Sequence, residues 1–326
     1  MGIFDKRKNY KPFEYPELQK FVDVMNETFW TVKEVDFTGD VQDFKTRLNP
    51  KEQEIIRRSL LGIAQVEVDV KTFWGKLYDY FPKPEFNNVG SSFAESETRH
   101  SEAYSKLLEV LNYEEDFKNL LEVPVFKEKL NLIEQSMSSK TDIIEKLLFF
   151  TIVIENSSLF SQFANILAMA KFKGIMKNVA NIILWTQNDE LIHSKSGTYI
   201  LNLINKEQPE RIQQLKSSIV ESVKKYIEYE SNLLNWIFEK GDYDFYTKED
   251  MLNFMKARVD ESIKEMDFFK NDPEYKDGIF KITPEQLSPM KWWDIETKSQ
   301  TLSDFFAVRP VDYSKHNQPF SEDNLF

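Results

Sequence analysis

Two of the three histidines in this 326-residue chain share one local pattern. His100 closes Glu97-Thr98-Arg99-His100, and His193 closes Glu190-Leu191-Ile192-His193. Residues three apart share a helix face, so each motif aims a carboxylate and an imidazole in one direction. Given the acidic content of the chain, both matches arise by chance roughly one time in 36. Two further carboxylates stand where charge is costly. Glu155 ends the mostly apolar run Leu147–Ile154, and Glu67 lies within Ile63-Ala64-Gln65-Val66-Glu67-Val68. A charge in such surroundings needs a partner or a metal. Asp69 competes with Glu67 for this role but faces elsewhere on a helix; spacing and apolar neighbours favour Glu67. Position 67 leads to 97 and position 155 leads to 190, each interval suiting one helix, a turn and the next helix.

Four carboxylates and two imidazoles are hard to borderline donors that suit manganese and iron. Carboxylates can also bridge two ions and offset their charge. A single Glu-x-x-His on a helix is ordinarily a solvated face. Two copies, with two isolated carboxylates in apolar helices, point instead to a dinuclear centre. The His pair at i, i+4 of zinc metalloproteases is absent from the sequence. With no Cys, zinc–thiolate sites, iron–sulfur ligation, thiol catalysis and a disulfide framework are excluded.

Such side chains need long helices to hold them. The chain has only 9 Gly, and its hydrophobic fraction of 41% suffices for a sizeable core. Asn49-Pro50-Lys51-Glu52 is a helix start, with Asn as cap, Pro at the first position and Glu reaching back. The spacing predicts helices over 16–29, from 50 for about 30 residues, 84–112, 122–134, from Ser138 or Ser139 to 171, to 205 after Gly174, 209–241 and 247–269. The segment 31–48 reads as irregular; no strand alternation is long enough for a sheet, although the sequence leaves room for a short hairpin after Pro273. From about Ile295 the helical period is lost, and the last residues are Phe320-Ser321-Glu322-Asp323-Asn324-Leu325-Phe326. The net charge of −12 argues against nucleic-acid binding. No apolar run approaches the roughly 20 residues of a membrane span, so a cytoplasmic protein is expected.

A Glu from each of two helices plus Glu-x-x-His from each of two others is the ligand set of ferritin-like dimetal carboxylate proteins. At these residues the chain resembles the radical-generating beta subunit of class I ribonucleotide reductase. Tyr104 follows His100 by four residues, where that family usually has its radical tyrosine. Asp189-Glu190-Leu191-Ile192-His193 matches the family's Asp-Glu-x-x-His. Phe29-Trp30 with Glu34, Asp36 and Asp40 resembles its N-terminal Trp segment. The resemblance spans about Trp30 to Phe269 plus the tail.

The resemblance implies an all-α, ferritin-like helical bundle over 1–294 and a flexible tail over 295–326. Glu67, Glu97, His100, Glu155, Glu190 and His193 would hold two metal ions, activated by an oxygen species. Trp30, Asp189 and His100 would link the centre to the surface, and Tyr313 in the tail would pass the oxidising equivalent on. The catalytic alpha subunit, bound through the tail, would then reduce ribonucleotides to deoxyribonucleotides. A homodimer is implied. The family's first ligand is commonly Asp; Glu67 in its place favours manganese in both positions over manganese–iron or iron–iron. Lys71, one turn past Glu67, could meet a ligand carboxylate or an anionic oxidant such as superoxide, or be a surface lysine. Tyr104 could store the radical or be structural beside a metal pair that stores it. Trp30 is otherwise a buried aromatic anchor, and His316 a solvated tail residue. The same ligands also serve dimetal monooxygenases, ligand-binding oxidases and storage proteins. A structural bundle acting through its tail is the reading from outside that class.

Overall fold

The computed structural model describes residues 2–138 and 140–293; the expected tail, with Tyr313 and His316, lies outside the described residues. The helices are α1 (Glu17–Glu27), α2 (Thr38–Arg47), α3 (Pro50–Gly75), α4 (Leu77–Tyr80), α5 (Pro84–Leu111), α6 (Glu114–Lys118), α7 (Pro124–Ser136), α8 (Ile143–Leu148), α9 (Leu159–Lys173), α10 (Lys177–Glu207), α11 (Pro209–Ile237), α12 (Lys248–Glu265) and α13 (Asp267–Lys270). A π-helical stretch, Phe149–Ser158, joins α8 to α9. No strand occurs among the described residues, and no helix among them is long and apolar enough to cross a membrane.

Local chemistry accounts for the helix ends. Asn49 accepts the Glu52 amide at 3.0 Å, and the Glu52 carboxylate accepts the Asn49 amide at 3.0 Å. Two of the orphan amides at the start of α3 are thereby satisfied. Thr247 and Asp250 do the same for α12. Pro84 and Pro209 open α5 and α11, where a missing amide costs nothing. Four helices, α3, α5, α10 and the α8–π–α9 rod, pack around one core. Gly197 of α10 lets that rod come close, since a Cβ there would collide with Thr151.

Three expectations are corrected. The segment 31–48 is not irregular: Asp36 accepts the Thr38 amide at 2.9 Å at the opening of α2. Asp40 accepts the Asn178 and Val179 amides at 2.9 and 3.0 Å at the start of α10. The acidic residues that looked like loop composition are caps. The helix expected from Ser138 or Ser139 starts at Asp142, whose carboxylate accepts the Ile144 amide at 2.8 Å. After Pro273 the chain forms turns rather than a hairpin. Asp260 of α12 takes the amides of Phe280 and Ile282 at 2.8 and 3.2 Å, so a partner strand is not needed.

An ion network ties the first half of α3 to its neighbours. Arg57 bonds Glu54 and Asp116, and Arg58 bonds Glu54, Glu239 and the Trp236 carbonyl. The hydrogen bond from Arg57, with Arg58 adding to it, holds the Glu54 carboxyl down to about 2 from 4.5. A depressed carboxylate stabilises the fold above its unfolded value and loses that contribution as pH falls through its folded value. Glu54→Gln should therefore cost about 1 kcal/mol at neutral pH, given partial solvent screening. The cost should vanish between pH 4.5 and 2. Urea unfolding at pH 7 and pH 3 checks this; an equal cost at both pH values would exclude it.

Candidate metal centre

The four core helices each deliver a carboxylate to one buried point. Glu67 comes from α3, Glu97 and His100 from α5, Glu155 from the π stretch, and Glu190 and His193 from α10. All six side chains are at most 1% exposed. Their ligand atoms form two groups: Glu67, Glu97, His100 and Glu190, and Glu97, Glu155, Glu190 and His193. Within each group the atoms lie within 4.8 Å of one another. Glu97 and Glu190 belong to both, which is what two carboxylates bridging two ions require.

The histidines present the same nitrogen to the cluster. His100 Nδ1 is 3.2 Å from Glu97, 3.2 Å from Glu190 and 3.8 Å from Glu67. His193 Nδ1 is 3.1 Å from Glu97, 3.3 Å from Glu190 and 3.6 Å from Glu155. Their outer nitrogens differ. His100 Nε2 is 3.0 Å from Asp189 Oδ2, while His193 Nε2 is 3.0 Å from the Ser96 hydroxyl. Such outer partners fix the ring and its tautomer.

Electrostatics show a cluster short of positive charge. Burial pushes Glu67 well above 4.5 and Glu155 up to about 8. Burial opposes charge on Glu97 too, but hydrogen bonds with His100 and His193 outweigh it and hold the carboxyl low. Burial also works against charge on the histidines. The nearby carboxylates of Asp189 and Glu190 outweigh it for His100, and those of Glu155 and Glu190 for His193, so both titrate above 6.5. Both oxygens of Glu67 and of Glu190, one of Glu97 and one of Glu155 lack a hydrogen-bond partner. Unpartnered buried carboxylate oxygens are costly unless a cation meets them. The cluster fits a dinuclear metal site: four carboxylates balance two divalent ions, and the donors are oxygen and imidazole nitrogen throughout.

The sequence profile of the ribonucleotide reductase small chain matches residues 7–277. The chain belongs to the ribonucleotide reductase small-chain family. A probable ribonucleoside-diphosphate reductase small subunit of Invertebrate iridescent virus 6 is 28% identical to it, over 96% of each chain. The ribonucleoside-diphosphate reductase small chain of Plasmodium falciparum is 25% identical over 93% of this chain and 82% of its own. Among solved structures, a putative class I ribonucleotide reductase from Bacillus halodurans has a TM-score of 0.74 at 21% identity, covering 86% of this chain and 99% of that one. The dimanganese(II)-NrdF of Streptococcus sanguinis also has a TM-score of 0.74, at 18% identity, covering 88% and 100%. The ferritin-like fold of these small subunits is the fold of this chain. The protein is a small subunit of ribonucleoside-diphosphate reductase, an oxidoreductase.

Around the centre of this small chain, the other expected residues fall in distinct places. Trp30 is 1% exposed, its Nε1 donates to Asp189 Oδ2 at 3.0 Å, and its ring stacks on His100 at 5.7 Å and 16°. Trp30, Asp189 and His100 therefore form one continuous chain. Tyr104 is fully buried, and its hydroxyl has no hydrogen-bond partner among the described residues. Burial, followed by the negative charge of Glu67, pushes this phenol well above 10. Lys71 does not meet a ligand carboxylate. Its Nζ donates to the Ser101 hydroxyl at 3.0 Å, and that hydroxyl lies 3.0 Å from the Glu67 carbonyl and 2.9 Å from that of Glu97. Lys71 also lines a surface pocket of about 510 Å³ with Val68, Ser101 and Lys118.

Sequence reasoning missed several contributors. Arg99 lies 3.6 Å from Asp189, bonds the Trp30 carbonyl at 3.3 Å and stands over the Trp30 ring. Trp185 packs on Trp30 with centroids 5.5 Å apart. Trp74 donates to Glu155 Oε1 at 2.6 Å. The only local signals were adjacency, Arg99 beside His100 and Ser96 beside Glu97; the two tryptophans carry none.

Proposed function

We propose that Glu67, Glu97, His100, Glu155, Glu190 and His193 hold two metal ions in this subunit, with Glu97 and Glu190 shared. The single observation that carries the reading is that the two donor groups interlock through those two carboxylates. When bound and oxidised, such a pair supplies a one-electron oxidant. Manganese in both positions is favoured over manganese–iron or iron–iron. Support comes from Glu67 at the first ligand position and from the dimanganese(II) protein of the same fold in Streptococcus sanguinis.

Around that pair, the chain's own residues keep water out and handle one proton. Leu159 and Phe163, both buried, follow Glu155 along the rod. The Trp30 Nε1 proton is held by Asp189 Oδ2, which is where it can rest when the indole gives up an electron. Asp189 also steadies His100. Lys71, through Ser101, places a positive charge at a surface opening one turn from Glu67, where an anionic oxidant such as superoxide would arrive. Tyr104 either stores the radical or packs beside a metal pair that stores it.

The partner is the catalytic alpha subunit, reached through the tail of 295–326 with Tyr313 relaying the oxidising equivalent; the helical domain of 1–294 forms a homodimer and acts in the cytoplasm on no nucleic acid or membrane.

Electron paramagnetic resonance of protein loaded with manganese and, separately, with iron, then oxidised, tests the function. A persistent multiline manganese signal is expected, with activity in the presence of the alpha subunit. A narrow organic line would move the oxidant to Tyr104, and no stored state under either metal would rule the proposal out. Deleting Phe320–Phe326 should abolish nucleotide reduction and leave metal content unchanged.

A further inference from the structure

Glu67 and Glu155 occupy matching places in the two halves of the cluster, but their surroundings differ. Both oxygens of Glu67 are without a hydrogen-bond partner. Glu155 Oε1 instead accepts the indole N–H of Trp74 at 2.6 Å, and only Oε2 is left unpartnered. Trp74 is fully buried on α3, seven residues past Glu67. The helix that offers a carboxylate to one half therefore offers an N–H to the other.

The donor is held rigidly. Phe93 meets the Trp74 ring edge-on at 4.9 Å, Phe73 at 5.0 Å, and the His193 ring lies at 5.7 Å. Phe73 in turn stacks on Phe150 of the π stretch at 4.2 Å and 5°. The backbone is fixed as well: Gly90 of α5 lies so close that a Cβ there would overlap the Trp74 carbonyl and Leu77. The acceptor is the more pliable partner. Glu155 sits in Phe149–Ser158, a helix form that is rare beyond single turns and concentrates at functional sites.

We infer that Trp74 is a positioning residue that holds Glu155 to one-oxygen ligation. It engages Oε1, the oxygen 3.6 Å from His193 Nδ1, and so makes the unpartnered Oε2 the oxygen favoured for the ion in the half formed by Glu97, Glu155, Glu190 and His193. Glu67, with no such restraint, can offer its ion one oxygen or two. The two ions thus occupy unequal sites even though both halves contain two shared carboxylates, one unshared carboxylate and one imidazole. The half restrained by Trp74 keeps a coordination position open that a two-oxygen Glu155 would fill. The inference rests on the ligand assignment under the proposed function.

The test is manganese(II) titration of the full chain, followed by the resonance of free manganese. In Trp74→Phe, which keeps an aromatic ring and loses the N–H, one of the two ions should bind about 10–100-fold more weakly, the usual cost of losing an outer partner. The other should change by less than about threefold, and Glu155 should turn towards two-oxygen ligation in a manganese-loaded crystal structure. Trp236→Phe removes an indole N–H on α11, where the ring packs on Phe126 rather than on the cluster, and should leave both affinities at parent values. Equal affinities in Trp74→Phe and parent overturn the inference, as does a matching loss in Trp236→Phe. Glu155→Gln separates the two levels. If it weakens one ion and Trp74→Phe weakens none, the ligand assignment stands and the positioning role fails. If it weakens neither, the assignment fails and takes the inference with it. A manganese-loaded crystal structure of the unaltered protein is a check that needs no variant: Glu155 ligating through both oxygens would refute the role.

Discussion

Glu97→Gln should remove both metal ions, not one. Glu97 belongs to both donor groups, and Gln keeps its shape while losing the charge that offsets the ions. Outer partners of metal ligands already cost about 10–100-fold in affinity, so a shared ligand should cost at least about 100-fold at each position. Metal analysis after gel filtration should find less than a tenth of the parent's content. Glu67→Gln is the comparison, since Glu67 belongs to one group only; it should lose one ion preferentially. Thermal melting gives an independent measure. A ligand at 100 times its dissociation constant stabilises the folded state by about 2.7 kcal/mol. The parent's melting temperature should therefore rise on adding manganese, and that of Glu97→Gln should not. If Glu97→Gln keeps one tight ion, the bridging assignment is wrong.

The second large effect is expected to fall on turnover and spare the metals. Trp30→Phe preserves an aromatic ring on His100 but removes the N–H that Asp189 accepts at 3.0 Å, together with an oxidisable indole. Positioned proton transfer contributes about 10²–10⁴-fold. Nucleotide reduction with the alpha subunit should fall by that factor while metal content matches the parent. Asp189→Asn should show both kinds of loss, because Asp189 also fixes His100. Turnover of Trp30→Phe within about threefold of the parent would remove Trp30 from the path. The pair of variants separates a role in electron transfer from a role in holding the metal.

The contrast between these residues shows what could be read in the chain before it folded. Glu97–His100 and Glu190–His193 were legible because three-residue spacing on a helix is a local property. Glu67 and Glu155 were legible because a charge among apolar residues contradicts its neighbourhood. The long helices followed from caps, prolines and scarce glycine, and the resemblance to reductase small chains followed from the motifs in order. The segment 31–48 was misread because capping carboxylates and loop carboxylates have the same composition; only their partners across the fold, such as the amides of Asn178 and Val179, tell them apart.

What the sequence alone determined is therefore the helical fold and the types of the candidate donors. Both are written in short-range periodicity and in charges placed where burial makes them costly. Tertiary structure decided the rest. It made Glu97 and Glu190 common to both groups, joined Trp30 to Asp189 across 159 positions, turned Lys71 to Ser101 rather than to a ligand, and set Trp74 against Glu155 in one half only. The physical reason is the same in each case. A hydrogen bond or a shared ligand depends on where two helices cross, and no spacing along one helix encodes that distance.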